Sequence, residues 1–139
     1  MNDSMLTRIV CSLLSDIPGW AWRPDGPSYQ DTETAIFYGA IDATPDRAVG
    51  ARVYSATDDP VRSLSSRRMQ LRLRGRKDAI DDADNLAHLA FLRLQGLSRV
   101  EGISGIRRES MSPSTADDNG RQERTENYTI ILDNQEASS

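Results

Sequence analysis

Met69-Gln70-Leu71-Arg72-Leu73-Arg74-Gly75 alternates apolar and polar side chains at every step, and Asp81-Asp82-Ala83-Asp84-Asn85-Leu86-Ala87 follows it closely. The first run has the two-residue period of a strand with Met69, Leu71 and Leu73 buried and the arginines wet. Beyond Gly75 the apolar spacing widens to three and four residues. Ile80, Ala83, Leu86, Ala87, Ala90, Phe91 and Leu94 then fall on one stripe of a helix opened by Asp78 or Asp81. Asp81, Asp82 and Asp84 crowd its first turn, where the helix dipole favours anions, and Gly96 stands where a C-terminal cap belongs. A half-buried strand followed by an amphipathic helix requires a sheet with a helix on one face.

Upstream, Met5, Leu6, Ile9, Val10, Leu13, Leu14 and Ile17 recur at helical intervals, with Asp3 or Ser4 placed to cap and Pro18-Gly19 placed to stop. Trp20 to Ser28 is rich in turn formers and is expected as a loop whose tryptophans cover the edge of the core. Ala35 to Ile41 and Ala48 to Tyr54 are expected as strands joined by the polar link Asp42 to Arg47, an antiparallel hairpin with a longish loop. Asp58-Asp59-Pro60 marks another turn. Downstream, Ile106 to Met111 and Asn127 to Leu132 are expected as strands. Between them, Ser112 to Glu126 holds no large apolar residue. That composition predicts a mobile loop over 112–126.

The order α-β-β-β-α-β-β predicts an α+β fold. It has one mixed, mainly antiparallel sheet of about five strands, with two helices packed on one face. Residues 1–132 are expected as a single domain and 133–139 as a frayed polar tail. If the strand ending at Arg74 and the one starting near Ile106 are parallel neighbours, the helix between them is a right-handed crossover. The second face of the sheet is left for a partner to cover.

The chain has 139 residues, enough for one core, and 37% of them are hydrophobic. No apolar run approaches the roughly 20 residues of a membrane span, and the N-terminal stretch lacks the marks of a secretory signal. Synthesis in the cytoplasm is therefore expected, with no membrane partner. Seventeen basic residues stand against 21 acidic, a net charge of -4, and Lys77 is the only lysine among the basic ones. An acidic chain is a poor prior for a dedicated nucleic-acid binder.

Cofactor, metal and catalytic signatures are lacking. His88 is the only histidine and Cys11 the only cysteine, so zinc spacing is absent and Cys11 reads as a small buried hydrophobe. Asp58-Asp59, Asp81-Asp82 and Asp117-Asp118 fit no calcium loop, and the glycines form no phosphate loop. The sharpest charge feature is six cations in the eleven residues from Arg67 to Lys77. Arg68, Arg72, Arg74 and Arg76 share the face opposite Met69, Leu71 and Leu73. Such a stripe serves carboxylates of a neighbouring strand or subunit, or else phosphates. Asp117, Asp118, Arg121 and Arg124 in the polar segment complete the set expected at a subunit or partner interface.

These residues also carry a resemblance. Met69 to Gly75 with the acidic helix ending near Leu94-Gln95-Gly96-Leu97 is similar to the minor capsid or tail terminator proteins of long non-contractile-tailed phages, particularly those of high-GC hosts. The likeness continues through Ile36-Phe37-Tyr38-Gly39 with Pro45-Asp46-Arg47, and through Asn119-Gly120-Arg121 to Glu126-Asn127-Tyr128. It implies a non-enzymatic virion protein at the tail-head junction that needs no cofactor. It also implies a hexameric ring that caps the tail tube, ends its polymerisation and joins it to the head. The implied partners are further copies of the chain, the tail tube protein and a head-completion (stopper) protein, with genomic DNA passing through the lumen without specific binding. A head-tail adaptor of the same neck and a small nucleic-acid-binding regulator are the alternatives.

Overall fold

The computed structural model describes residues 1–62, 64–113 and 115–133. Helix α1 spans Asp3–Leu14 and α2 spans Asp82–Leu94. The strands are β1 (Trp20–Trp22), β2 (Thr34–Tyr38), β3 (Ala48–Asp59), β4 (Leu64–Lys77), β5 (Ile103–Pro113) and β6 (Arg121–Leu132). They form one mixed sheet in the order β1-β2-β3-β4-β6-β5. The α+β class and the single sheet are as expected, with six strands where about five were read.

Helix α1 is capped by Asn2, upstream of both expected caps, Asp3 and Ser4. Asn2 is in extended conformation, and its side-chain oxygen accepts the Met5 N–H at 2.8 Å. The apolar stripes of both helices meet the sheet on one face. There Leu6, Val10 and Leu14 of α1 and Leu86, Ala90 and Leu94 of α2 close over Met69, Leu71, Leu73, Tyr128 and Ile130. Ile80, read as part of the α2 stripe, precedes the helix and is exposed.

Four local expectations are corrected. The Trp20 to Ser28 segment is not all loop, because Trp20–Trp22 pairs in parallel with Thr34–Ile36 as a short edge strand, with Trp20 buried in the core. Strands β2 and β3 are parallel, Ala35 opposite Ala48 and Tyr38 opposite Ala51, so they form no antiparallel hairpin. The link 39–47 doubles back across the sheet. It lies so close that a Cβ on Gly50 would sit 2.2 Å from the Gly39 carbonyl oxygen, and the Arg74 guanidinium grips three of the link's carbonyls.

The third correction concerns the segment 112–126. Ser112 and Pro113 end β5, while Arg121 to Glu126 open β6 and pair with β4. The connection proper lies between the end of β5 at Pro113 and the start of β6 at Arg121. The fourth concerns the crossover. Strand β6 is inserted between β4 and β5 and antiparallel to both, so the condition of adjacent parallel strands is not met. Of the tail, only Asp133 lies among the described residues, and the expectation for 134–139 falls outside them.

Candidate functional site

Pleating sends alternate residues of β3, β4, β6 and β5 away from the helices, and among the described residues no helix packs on that second face. Its rows are read directly from the register. Arg52, Gln70, Asn127 and Ser110 lie side by side, followed by Ser55, Arg68, Thr129 and Arg107. On the other side of the first row come Gly50, Arg72, Thr125 and Ser112. Hydroxyls, amides and guanidiniums thus form a broad polar floor. Tyr54 and Ile131, both exposed, border an open groove on it with Arg68, Arg107 and Glu109.

The charges on this floor are unevenly matched. Arg107 Nε donates to Glu109 at 2.5 Å, and that bond holds the Glu109 carboxyl below the usual range. Arg72 lies 3.6 Å from Glu123 on the adjacent strand. Arg68 is exposed and among the described residues makes no ion pair within 4 Å, and neither does the exposed Arg52.

The eight residues expected at an interface divide into three groups. Arg68 and Arg72 stand on the open face as the alternation predicts. Arg74 has the same parity but is 6% exposed. Its Nε donates to the Asp46 carbonyl, and its Nη2 to those of Asp42 and Pro45, each at 2.8 Å. Burial, and then the charge of Arg121, hold its pKa below the ordinary arginine value. The stripe is therefore interrupted by an arginine spent inside the chain on backbone oxygens. Arg121 is buried beside it, donating to Asp117, to the Ala43 carbonyl and to Asp46. Asp117 also accepts the N–H groups of Asn119 and Arg121. Burial alone would raise its carboxyl, but these bonds bring it below the usual range. Asp118, next in the turn, is exposed.

Arg76 and Arg124 face α2. Arg76 Nε lies 3.7 Å from Asp82, while Arg124 donates to Asp84 and Glu126. Glu126 is fully buried and also accepts from Arg108, whose guanidinium lies 4.1 Å from the Phe91 ring centre. Arg52, Tyr54, Arg107 and Glu109 were missing from the expected set. The alternation Ala51-Arg52-Val53 carried a signal for the first, since it repeats the pattern of Met69 to Arg74.

Among the described residues no group of three or more His, Cys, Asp or Glu side chains is placed to hold a metal ion, and no helix is long and apolar enough to cross a membrane. His88 is exposed on α2. Cys11 is buried in α1, where desolvation pushes its thiol up to about 12. At neutral pH it stays a protonated core side chain.

Two comparisons bear on this arrangement. The family model described as bacteriophage tail terminator protein matches residues 13–134, which span β1 to β6 and all of α2. No curated protein sequence matches the chain.

Proposed function

The chain belongs to the bacteriophage tail terminator protein family, whose members are structural components of the phage tail, and on that premise we propose that it closes the finished tail tube. In this reading copies of the chain form a hexameric ring at the tail-head junction, end tube polymerisation and leave a channel for DNA. The tail tube protein meets one side of the ring and a head-completion protein the other.

The observation that carries the reading is the broad sheet face left open beside β5, an edge strand of eleven residues. Open sheet surfaces of this size invite pairing with another chain, and a closed ring satisfies them without leaving a growing end. Its test is cryo-microscopy of assembled virion necks, where six copies are expected in one ring at the tube end. Twelve copies would favour a head-tail adaptor, and a monomer in the virion would remove both.

A further inference from the structure

Three loops converge at one end of the molecule. They are the 39–47 link, the turn from β4 into α2, and the turn between β5 and β6. Arg121 reaches from the last to the Ala43 carbonyl, and the Asp78 N–H donates to the Gly120 carbonyl at 3.1 Å. Asp42, Asp78, Asp81 and Asp118 project from these loops, all exposed and none in an ion pair among the described residues. Lys77 is the exposed cation beside them, and Arg76 leans to Asp82. This end is net negative. The open face carries Arg52, Arg68, Arg72 and Arg107 against Glu109 and Glu123 and is net positive, although the chain as a whole is at -4.

We propose that the open face receives the aspartate-bearing end of a second copy, so that subunits join through unlike surfaces, with Arg52 and Arg68 as the principal acceptors of carboxylates. The inference rests on the ring reading above. One chain supplies both halves of a charge-complementary pair, and among the described residues Arg52 and Arg68 on one half and the four aspartates on the other are in no ion pair. Contacts between unlike surfaces repeat from copy to copy and close into a ring when the rotation permits. Nucleic acid is the poorer occupant, because the chain as a whole is at -4 and its field opposes a long polyanion. Exposed Tyr54 and Ile131 on the same floor suit a protein surface.

Within one chain the two halves cannot touch. Arg68 pairs with Thr129, and Thr129 stands eight residue steps along the strand from Arg121 at the turn, on the order of 26 Å of rise. A link between cysteines at positions 68 and 118 made by a bis-maleimide shorter than that span must therefore join different copies.

The experiment uses tails assembled with the full chain carrying Arg68→Cys and Asp118→Cys, imaged before cross-linking. A denaturing-gel ladder rising to the ring's copy number is expected. Rings present in the images without a ladder would overturn the proposal and leave the ring reading standing. Tube ends without rings in tails assembled with the parental chain would overturn both. Dimers formed by Arg68→Cys alone would show like faces meeting and would also overturn it.

A second pair of variants covers failure of the cysteine chain to incorporate. Arg68→Asp and Asp118→Arg are each expected to lower incorporation about tenfold, and the double exchange to restore it to near the parental level. No restoration by the double exchange counts against the proposal. So does tight duplex DNA binding by the parental chain, lost in Arg68→Asp and falling steeply with salt, if rings still form.

Discussion

Arg74 separates what alternation specifies from what a side chain does. Its place in the period-2 run sets its direction, away from Met69, Leu71 and Leu73, while the 39–47 link decides that it is buried. A guanidinium presents several donors in a fixed fork and reaches three carbonyls at once, which an ammonium on a flexible stem does not. Arg74→Met keeps the length of the side chain but leaves the carbonyls of Asp42, Pro45 and Asp46 without their donor. Unfolding in urea should show a loss of about 3 kcal/mol, with Arg74→Lys recovering less than half of it. Equal stability of the parental protein and Arg74→Met would mean that water replaces the fork without cost. Arg68 and Arg72 have the same parity but stand in solvent, and substitution there should leave the urea midpoint unchanged.

At the scale of elements, Asp82 ties α2 to two other parts of the chain. It is the first residue of the helix, 2% exposed, and accepts both arms of the Arg47 fork at 2.6 and 2.8 Å together with the Arg76 N–H at 2.7 Å. Burial alone would raise its carboxyl, but the Arg47 and Arg76 bonds outweigh that and hold it below the usual carboxylate range. A carboxyl depressed in the folded state contributes stability above its unfolded value and loses it as pH falls through the folded one. The protein should therefore lose stability as pH falls below about 4. Asp82→Asn should be less stable at neutral pH and show a shallower acid limb, measured by thermal melts across that range.

How far such elements were legible depended on where their determinants lie. Helix α2 and strand β4 announce themselves because their signals are local, spacing in one and alternation in the other. The parallel pairing of β2 and β3 requires a link that returns along the sheet, and that link is held by Arg74, 28 residues beyond the Asp46 carbonyl it grips, which no local pattern carries. Arg121 to Glu126 reads as loop because its core-facing positions hold Arg124 and Glu126. Their burial is made tolerable by Arg108 and Asp84 on other elements, so hydropathy is silent there. Strand β1, three residues long, owes its existence to its neighbour β2. The exposed half of the expected interface was legible for the same reason as β4, whereas the buried half depended on loops that only the folded chain brings together.

For the molecule as a whole, the two buried arginines make one end a single mechanical unit. Arg74 and Arg121 share Asp46, the first through its carbonyl and the second through its carboxylate, and the β5–β6 turn is closed by Asp117 N–H to Arg121 C=O and Gly120 N–H to Asp117 C=O. If the segment were a mobile loop, the amides of Asp117, Gly120 and Arg121 would exchange with solvent almost freely. With the bonds in place they should be protected. Arg121→Ala removes a nearly buried fork from Asp117, Asp46 and the Ala43 carbonyl, at a local cost of about 3 kcal/mol. Hydrogen exchange in the variant should then quicken about 100-fold at Asp117, Gly120 and Asp78, whose N–H groups bond across or within the turn. The centre of the sheet, at Leu71 and Tyr128, should remain as slow as in the parental protein, because its stability comes from the helices packed on the other face. Fast exchange at Asp117 to Arg121 in the parental chain would contradict the unit. Equal acceleration at Leu71 would show that this end and the core open as one.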